Sequence, residues 1–300
     1  MNKRFKMLRV WVALWLMAGL AGAAAGDPPE AAEGGSGRLA LSVMTYNLRY
    51  ASATPPNAWG VRRPVLQRCI QQVAPDLVGT QEGLYGQLKE LAAGLPEYAW
   101  IGLGRDGGSR GEFMAIFYRR DRFEPVEYDH FWLSDTPEVI GSSTWGNKCR
   151  RMVTWVRFRD RTSGCEFYHW NTHLDHEIEN ARQQGARLIR ERVERLKTTL
   201  PIVMTGDFNA VAGRSAAYSI LVGEGGLADT WTLARERVNE SLNSFNGFRE
   251  PVRGSERIDW VLARGSVTVS KAEVVEWRDN GQHASDHFPV MAWLEFGTQR

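Results

Sequence analysis

Cysteine is scarce in this 300-residue chain: Cys69, Cys149 and Cys165 are the only three. None sits at the close paired spacing that thiolate metal sites use, which excludes a cysteine-built zinc centre. Three is also an odd number, so in an oxidising compartment at least one thiol lacks a partner within the chain. Cys69 shares a helical face with Val65, Leu66, Ile70 and Val73, where a small buried hydrophobe is expected. The glycine spacing of a nucleotide cradle is missing as well. The Gly-rich stretch at residues 104–112 (GRDGGSRGE) leads into a strand and not into a helix. No low-complexity break and no repeat of solenoid length divides the chain.

Excess positive charge is absent too. The whole chain carries 37 basic and 35 acidic residues. Four of the basic ones, Lys3, Arg4, Lys6 and Arg9, precede a short apolar run from Val10 to Leu20, and AGAAAG follows at residues 21–26. That pattern is a secretory signal peptide, and the run is too short for a comfortable membrane span. No cysteine follows it, which excludes a lipid anchor at that position. Residues 1–25 are therefore read as a signal peptide, 26–38 as a disordered linker of Pro, Gly, Ala, Ser and Glu, and 39–298 as one domain. The expected location is the periplasm or the medium, with no stable membrane insertion after cleavage and a monomeric state. Cleavage leaves 33 basic against 35 acidic residues, a balance of −2. A protein that coats a long phosphate backbone is normally basic, so a small or exposed substrate is favoured over long duplex DNA.

What the chain does have is a series of short apolar runs that end in polar residues. The central one is residues 201–210, PIVMTGDFNA. Ile202, Val203 and Met204 read as a strand buried on both faces, and Asp207 and Asn209 follow at its end. Gly-Asp and Asn also form turns, so this segment alone does not decide the matter. Others end alike. Residues 39–50 (LALSVMTYNLRY) alternate as a strand and reach Asn47; after a helix, Leu77 to Thr80 run into Gln81 and Glu82. Glu112 opens another strand. Residues 151–157 and 166–171 form a hairpin around DRTSG, ending in Asn171, His173, Asp175 and His176. His173 and His176 would supply two of the ligands a zinc ion needs, although a satisfied loop histidine explains His176 equally well. A long Arg-rich amphipathic helix over 177–197 is read as a solvated face. RIDWVL at 257–262 places Asp259 in a strand, and SDHFPV at 285–290 sets Asp286 and His287 before the last one.

In this order TYNLRY, QE, GE, NTHLDH, GDFN, RIDWVL and SDHFPV resemble the endonuclease/exonuclease/phosphatase superfamily, from about Leu41 to Leu294. Exonuclease III, pancreatic-type deoxyribonucleases, deadenylases, sphingomyelinases and inositol polyphosphate 5-phosphatases belong to it. The resemblance implies a four-layer α/β sandwich, two mixed β-sheets packed face to face with helices outside. It also implies a hydrolase of phosphoester bonds, of phosphodiesterase or nuclease type, dependent on Mg²⁺ or Mn²⁺, which the signal peptide makes a secreted one. Glu82 would be the main metal ligand, with Asn47 beside it and Asp286 as a further metal residue. Asp207 and Asn209 would orient the attacking water, and His287 with Asp259 and His173 near Glu112 would flank the phosphate. An imidazole of pKa ~6.5 suits acid or base work there, with Asp207 and His287 both open as the base. The Trp-Cys-Asp-Arg signature of inositol phosphatases is missing at SERIDW, and no apolar hairpin for membrane docking stands out. The substrate stays open among nucleic acid, lipid headgroup and small organophosphate. A sphingomyelinase-like activity, or a binding module using loop tryptophans such as Trp59 and Trp145, are the alternatives.

The export reading predicts a native N-terminus between Ala24 and Asp27. Mass spectrometry of the protein purified from its natural host checks it; an intact Met1 would overturn it.

Overall fold

The run Ile202-Val203-Met204 does form a two-face-buried strand: all six residues of Ile202–Asp207 are buried. In this computed structural model, which describes residues 38–297, that strand lies inside a six-stranded sheet. Its strand order is Ala228–Asp229, Asp259–Arg264, Ile202–Asp207, Glu166–His173, Met152–Asp160 and Phe123–Trp132. The expected signal peptide, all but Arg38 of the expected linker, and residue 298 lie outside the described residues.

A seven-stranded sheet faces it, in the order Glu236–Val238, Val267–Val274, Val290–Phe296, Leu39–Asn47, Leu77–Gln81, Ile116–Arg119 and Tyr98–Ile101. Leu39–Asn47 pairs parallel with Leu77–Gln81, and Ile202–Asp207 pairs parallel with Glu166–His173; their other partners are antiparallel, so both sheets are mixed. Three apolar layers follow from two sheets each buried on both faces. Leu41, Val43, Phe158, Phe167, Val203, Val261 and Phe288 fill the space between the sheets. Met44, Val78 and Phe117 pack outward on the helices Trp59–Val73 and Tyr85–Ala93. Met204, Trp170 and Leu262 pack outward on Glu179–Arg195 and Ala216–Val222. The architecture is the four-layer α/β sandwich that the motif order implied. Cys69 is fully buried in the second of these layers, as a small hydrophobe.

The helix Glu179–Arg195 keeps its charges on the solvent side, in pairs such as Arg182–Glu179 and Arg190–Glu194. The strand Phe123–Trp132 has no counterpart in the sequence reading. Pro125 and the exposed Val126, Glu127 and Tyr128 hide it, because an edge strand tolerates a proline and needs only one partner. Its ladder to Met152–Asp160 shifts register between Pro125 and Glu127.

Toward the rim where the two parallel pairs end, the inter-sheet layer turns polar. Asn171 donates to Thr80 O (2.8 Å) and Ala115 O (3.0 Å) on the other sheet, and its Oδ1 accepts from Gln81 Nε2 and Thr205 Oγ1. Gly79 permits this approach, since a Cβ there would stand 1.9 Å from Thr205 Oγ1 and 2.7 Å from Asn171 Oδ1. Gly79→Ala is therefore expected to cost about 1–3 kcal/mol by overpacking. A fall in melting temperature of about 2–12 °C is the matching readout. An unchanged melting curve would show that the sheets are free to separate.

Candidate active site

Strand register puts the site together before any loop does. Asp207 stands opposite His173 on one neighbouring strand and opposite Asp259 on the other. In the facing sheet Asn47 pairs with Gln81, which brings Glu82 alongside. At three of these ends the chain turns off through left-handed non-glycine residues: Arg49 (φ 54°), Glu82 (φ 62°) and Asn209 (φ 47°). Such residues are uncommon, and their gathering at one rim points to a functional constraint.

Asn47 joins the two sheets here. Its Nδ2 donates to Glu82 Oε1 and to Asp207 Oδ2, both at 2.9 Å, while its Oδ1 accepts from Arg49 N at 2.9 Å. The amide therefore turns its donor toward the site. Asn47 holds the two carboxylates in place through its Nδ2, and its Oδ1 keeps a second lone pair beside the bond from Arg49 N. Asp207 is buried, with Oδ1 accepting from Asn209 N at 2.9 Å. His287 Nε2 lies 3.7 Å and His173 Nε2 3.4 Å from Asp207 Oδ2, so both imidazoles converge on one carboxylate.

The two rings are held differently. His287 Nδ1 is 2.9 Å from Asp259 Oδ2, the pairing expected from the sequence. Burial alone would push its pKa down, but the carboxylates of Asp259 and Asp207 override this and raise it to about 10. His287 is thus an imidazolium between two carboxylates. Burial also raises Asp207, to about 7, with Asp259 adding to the rise and His287 and Asn47 opposing it. His173 is held well below the usual imidazole range by burial, and next by the Arg151 and Arg105 guanidiniums.

Glu112 is where the sequence reading needs correction. It forms a two-pronged pair with Arg105 (2.6 and 3.0 Å), not with His173. The partner of His173 is Asn209, whose Nδ2 is 2.9 Å from Nε2. The expected imidazole–carboxylate pair on that side is an imidazole–amide pair, because Arg105 claims the carboxylate first. Burial, opposed by Arg105, still raises Glu112 above the usual carboxylate range. Asp286 lies near the site through Arg49, whose Nε is 3.5 Å from Asp286 Oδ2 and whose Nη1 is 3.8 Å from Glu82 Oε2. His176 is outside the site: it bonds Arg151 and pairs with Glu177 on the surface. Trp59 is buried at the head of a helix and not in a loop, and Trp145 is half-buried with its indole on Asp135.

Arginines 49, 105 and 151 carry much of the positive charge here, and the sequence reading assigned none of them. Arg49 had a signal, since it lies two residues past Asn47 in the same strand end. Arg151 had none beyond opening a strand, yet it is buried.

Among the described residues, two groups have ligand atoms within 4.8 Å of one another: Glu82, His173 and Asp207, and Asp207, Asp259 and His287. Carboxylate oxygens and an unprotonated imidazole are donors suited to a divalent cation, so the residues present fit the ion that the family resemblance implies.

Paired carboxylates beside two imidazoles, at the common end of two facing sheets, define a hydrolase class whose site is shared by both halves of the fold. The chain belongs to the endonuclease/exonuclease/phosphatase family: that family's model matches residues 44–287. Members of this family are phosphoester hydrolases. A family protein from Bacteroides thetaiotaomicron is 36% identical, with a TM-score of 0.82, covering 88% of this chain and 100% of that one. A mannosyl-6-phosphatase from Bacteroides thetaiotaomicron is also 36% identical, with a TM-score of 0.80, covering 85% and 99%. Among curated relatives, an uncharacterized protein of Acanthamoeba polyphaga mimivirus is 27% identical over 160 residues, half of this chain. Protein angel of Drosophila melanogaster is 24% identical over 215 residues. The matches span 59% and 57% of those two relatives, under two thirds of their length.

Without Asp259, the largest of the three charges that raise His287 is gone. Histidine-ring NMR titration of the metal-free protein should therefore show His287 protonated up to about pH 10. In Asp259→Asn its pKa should fall by about one unit or more, equivalent to roughly 1.4 kcal/mol. An unmoved titration would remove Asp259 as the group that orients and charges the ring.

Proposed function

We propose that the chain is an exported, divalent-metal-dependent hydrolase of small phosphoric esters, with sugar phosphates as the substrate class. The observation that carries the chemistry is the convergence of Glu82, His173 and His287 on Asp207. Glu82 would hold the metal, which when bound would polarise the phosphoryl oxygens and neutralise their charge. Asp207, with a pKa pushed to about 7, is suited to take the proton of an attacking water near neutral pH. Asn209 fixes that carboxylate through its backbone N–H and leaves Oδ2 for the water. His287 faces the same point as an imidazolium, able to donate to a phosphoryl or leaving oxygen, and Asp259 holds its ring in that orientation.

Charge around the site supports a small ester. A groove of about 410 Å³ beside Asn209 is lined by Arg182, Arg214, Ser215, Glu179 and Glu256. Arg182 bonds Glu179 at 2.8 Å and Arg214 bonds Glu256 at 2.9 Å, so the groove is balanced. Arg49 and Arg105 are likewise engaged by carboxylates. A nucleic-acid backbone needs a track of uncommitted cations, whereas a polyol fits a neutral polar groove. The relation to a mannosyl-6-phosphatase at 36% identity agrees with a phosphosugar. Among the described residues no helix is long and apolar enough to cross a membrane.

The test is a panel of mannose 6-phosphate, bis(p-nitrophenyl) phosphate, single-stranded DNA and sphingomyelin vesicles, with Mg²⁺, Mn²⁺ or EDTA. Hydrolysis of the sugar phosphate should dominate and vanish with EDTA. His287→Ala should lower kcat by roughly 10²–10⁴ without unfolding the protein. Glu82→Gln should abolish metal-dependent turnover, since the amide loses the charge that holds a hard cation. Faster DNA or lipid cleavage would replace the substrate class, and no turnover of any ester would leave the fold a binding module.

A further inference from the structure

The helix Trp59–Val73 carries a charged side chain that solvent does not reach: Arg62 is fully buried. A buried guanidinium normally leans on a carboxylate, because an unpaired charge in the interior is costly. Among the described residues, all five of its N–H donors go instead to main-chain carbonyls. Nε donates to Asn57 O at 2.8 Å, Nη1 to Leu48 O at 2.8 Å and Ala284 O at 2.9 Å, and Nη2 to Arg49 O at 3.1 Å and Tyr50 O at 3.2 Å. The ring centres of Trp59 and Phe248 lie 5.5 and 5.6 Å from its Cζ. Three consecutive carbonyls meet it where the chain turns through the left-handed Arg49 (φ 54°). Without this cation the buried carbonyls of Leu48 and Ala284 would be short of a donor.

Both clamped segments lead into the site. Arg49 N donates to Asn47 Oδ1, Tyr50 N donates to Glu82 Oε2 at 3.2 Å, and the Arg49 side chain lies between Glu82 and Asp286. Ala284 is followed by Ser285, whose Oγ donates to Asn47 O at 2.6 Å, and then by Asp286 and His287. Asn246, in the loop that brings Phe248, donates through Nδ2 to Ser285 O and through its main-chain N to Asp286 O. We propose that Arg62 is a positioning residue for hydrolysis: its guanidinium clamps residues 48–50 to the segment leading into Asp286 and His287. The inference rests on the hydrolase reading above and adds to it a residue that touches no substrate. The clamp fixes the place of Arg49 relative to His287, two groups that the chain itself joins only through some 240 residues. Only a planar fork suits the task. A lysine would keep the charge but offer three donors from one nitrogen, too few for carbonyls spread around the guanidinium plane.

The experiment uses the full chain labelled with ¹⁵N. In the metal-free wild type the Nη hydrogens of Arg62 should give separate, slowly exchanging NMR signals, because their hydrogen bonds stop rotation of the guanidinium. Averaged, rapidly exchanging signals would overturn the clamp without any substitution. In Arg62→Lys the amides of Arg49 and Tyr50 should exchange about tenfold or more faster, while those of Ile202–Asp207 keep their rates. Its kcat for the panel ester that the wild type hydrolyses fastest should fall about 10²-fold with KM little changed, the loss that a misplacement of about 1 Å brings. Arg62→Ala opens room for the missing group, so millimolar guanidinium chloride should restore part of kcat where equal sodium chloride or urea does not. A residue that only stabilised the fold would behave otherwise: melting temperature falls, every strand loosens alike, and kcat per folded molecule holds. That result, with circular dichroism reporting the folded fraction, would overturn the assignment, as would absent rescue in folded Arg62→Ala. Slow Arg62 signals in a wild type that hydrolyses no ester would overturn the hydrolase reading and spare the clamp; undiminished turnover by Arg62→Lys would do the reverse.

Discussion

The Asn47 side chain depends on, and reports, the closeness of the two sheets. It reaches from one sheet to Asp207 in the other, 160 residues away, while also holding Glu82. That span exists because Gly79 lets the strands approach until Thr205 and Asn171 occupy the place of a Cβ. A methyl group there would part the sheets at the rim. Glu82 would then belong to one surface and Asp207 to another. The polar bridge of Gln81, Asn171 and Thr205 closes the gap with hydrogen bonds where apolar packing ends, which is what a buried polar layer requires to be tolerated.

Such closeness has an electrostatic consequence. Asp207, Asp259 and His287 are all buried within reach of one another, and none is an isolated charge. Burial and a like charge push Asp207 up, while the same two carboxylates push His287 up. The outcome is a poised carboxylate beside a charged ring, from residues that in water would be an ordinary anion and a mostly neutral imidazole. The other histidine meets the opposite surroundings. Two arginines and an amide face His173, and it stays neutral with its Nε2 beside the Asn209 amide. Two imidazoles contacting one carboxylate thus take different roles because their other neighbours differ in charge.

Much of this layout could be read from the chain. Strand ends were visible because an apolar run such as Ile202 to Met204, stopping at Gly206-Asp207, has only one stable place in a two-face-buried sheet. The order of seven such endings carried the family. The hairpin around DRTSG stands where its pattern puts it. Phe123–Trp132 escaped notice since an edge strand with a proline and an exposed middle has neither alternation nor a continuous apolar run. The Glu112–His173 pairing failed for another reason: which of several nearby cations takes a carboxylate depends on side-chain reach, and Arg105, in the loop before Glu112, reaches it with two hydrogen bonds.

Residue types and their order along the chain by themselves determined the fold class, the family, and the set of strand ends from which the site is drawn. The strand ends follow from local rules, since period, burial and turn chemistry act over a few residues at a time; the fold class and the family rest on the resemblance that the order of the motifs carries. Tertiary structure alone decided that Asn47 bridges Glu82 and Asp207 across the sheets, that Glu112 belongs to Arg105, and that His173 and His287 differ in protonation. Each of these turns on distances of 3 to 4 Å between residues far apart in sequence. Hydrogen-bond direction and charge coupling fall off steeply over that scale, so nothing short of the packed sheets fixes them.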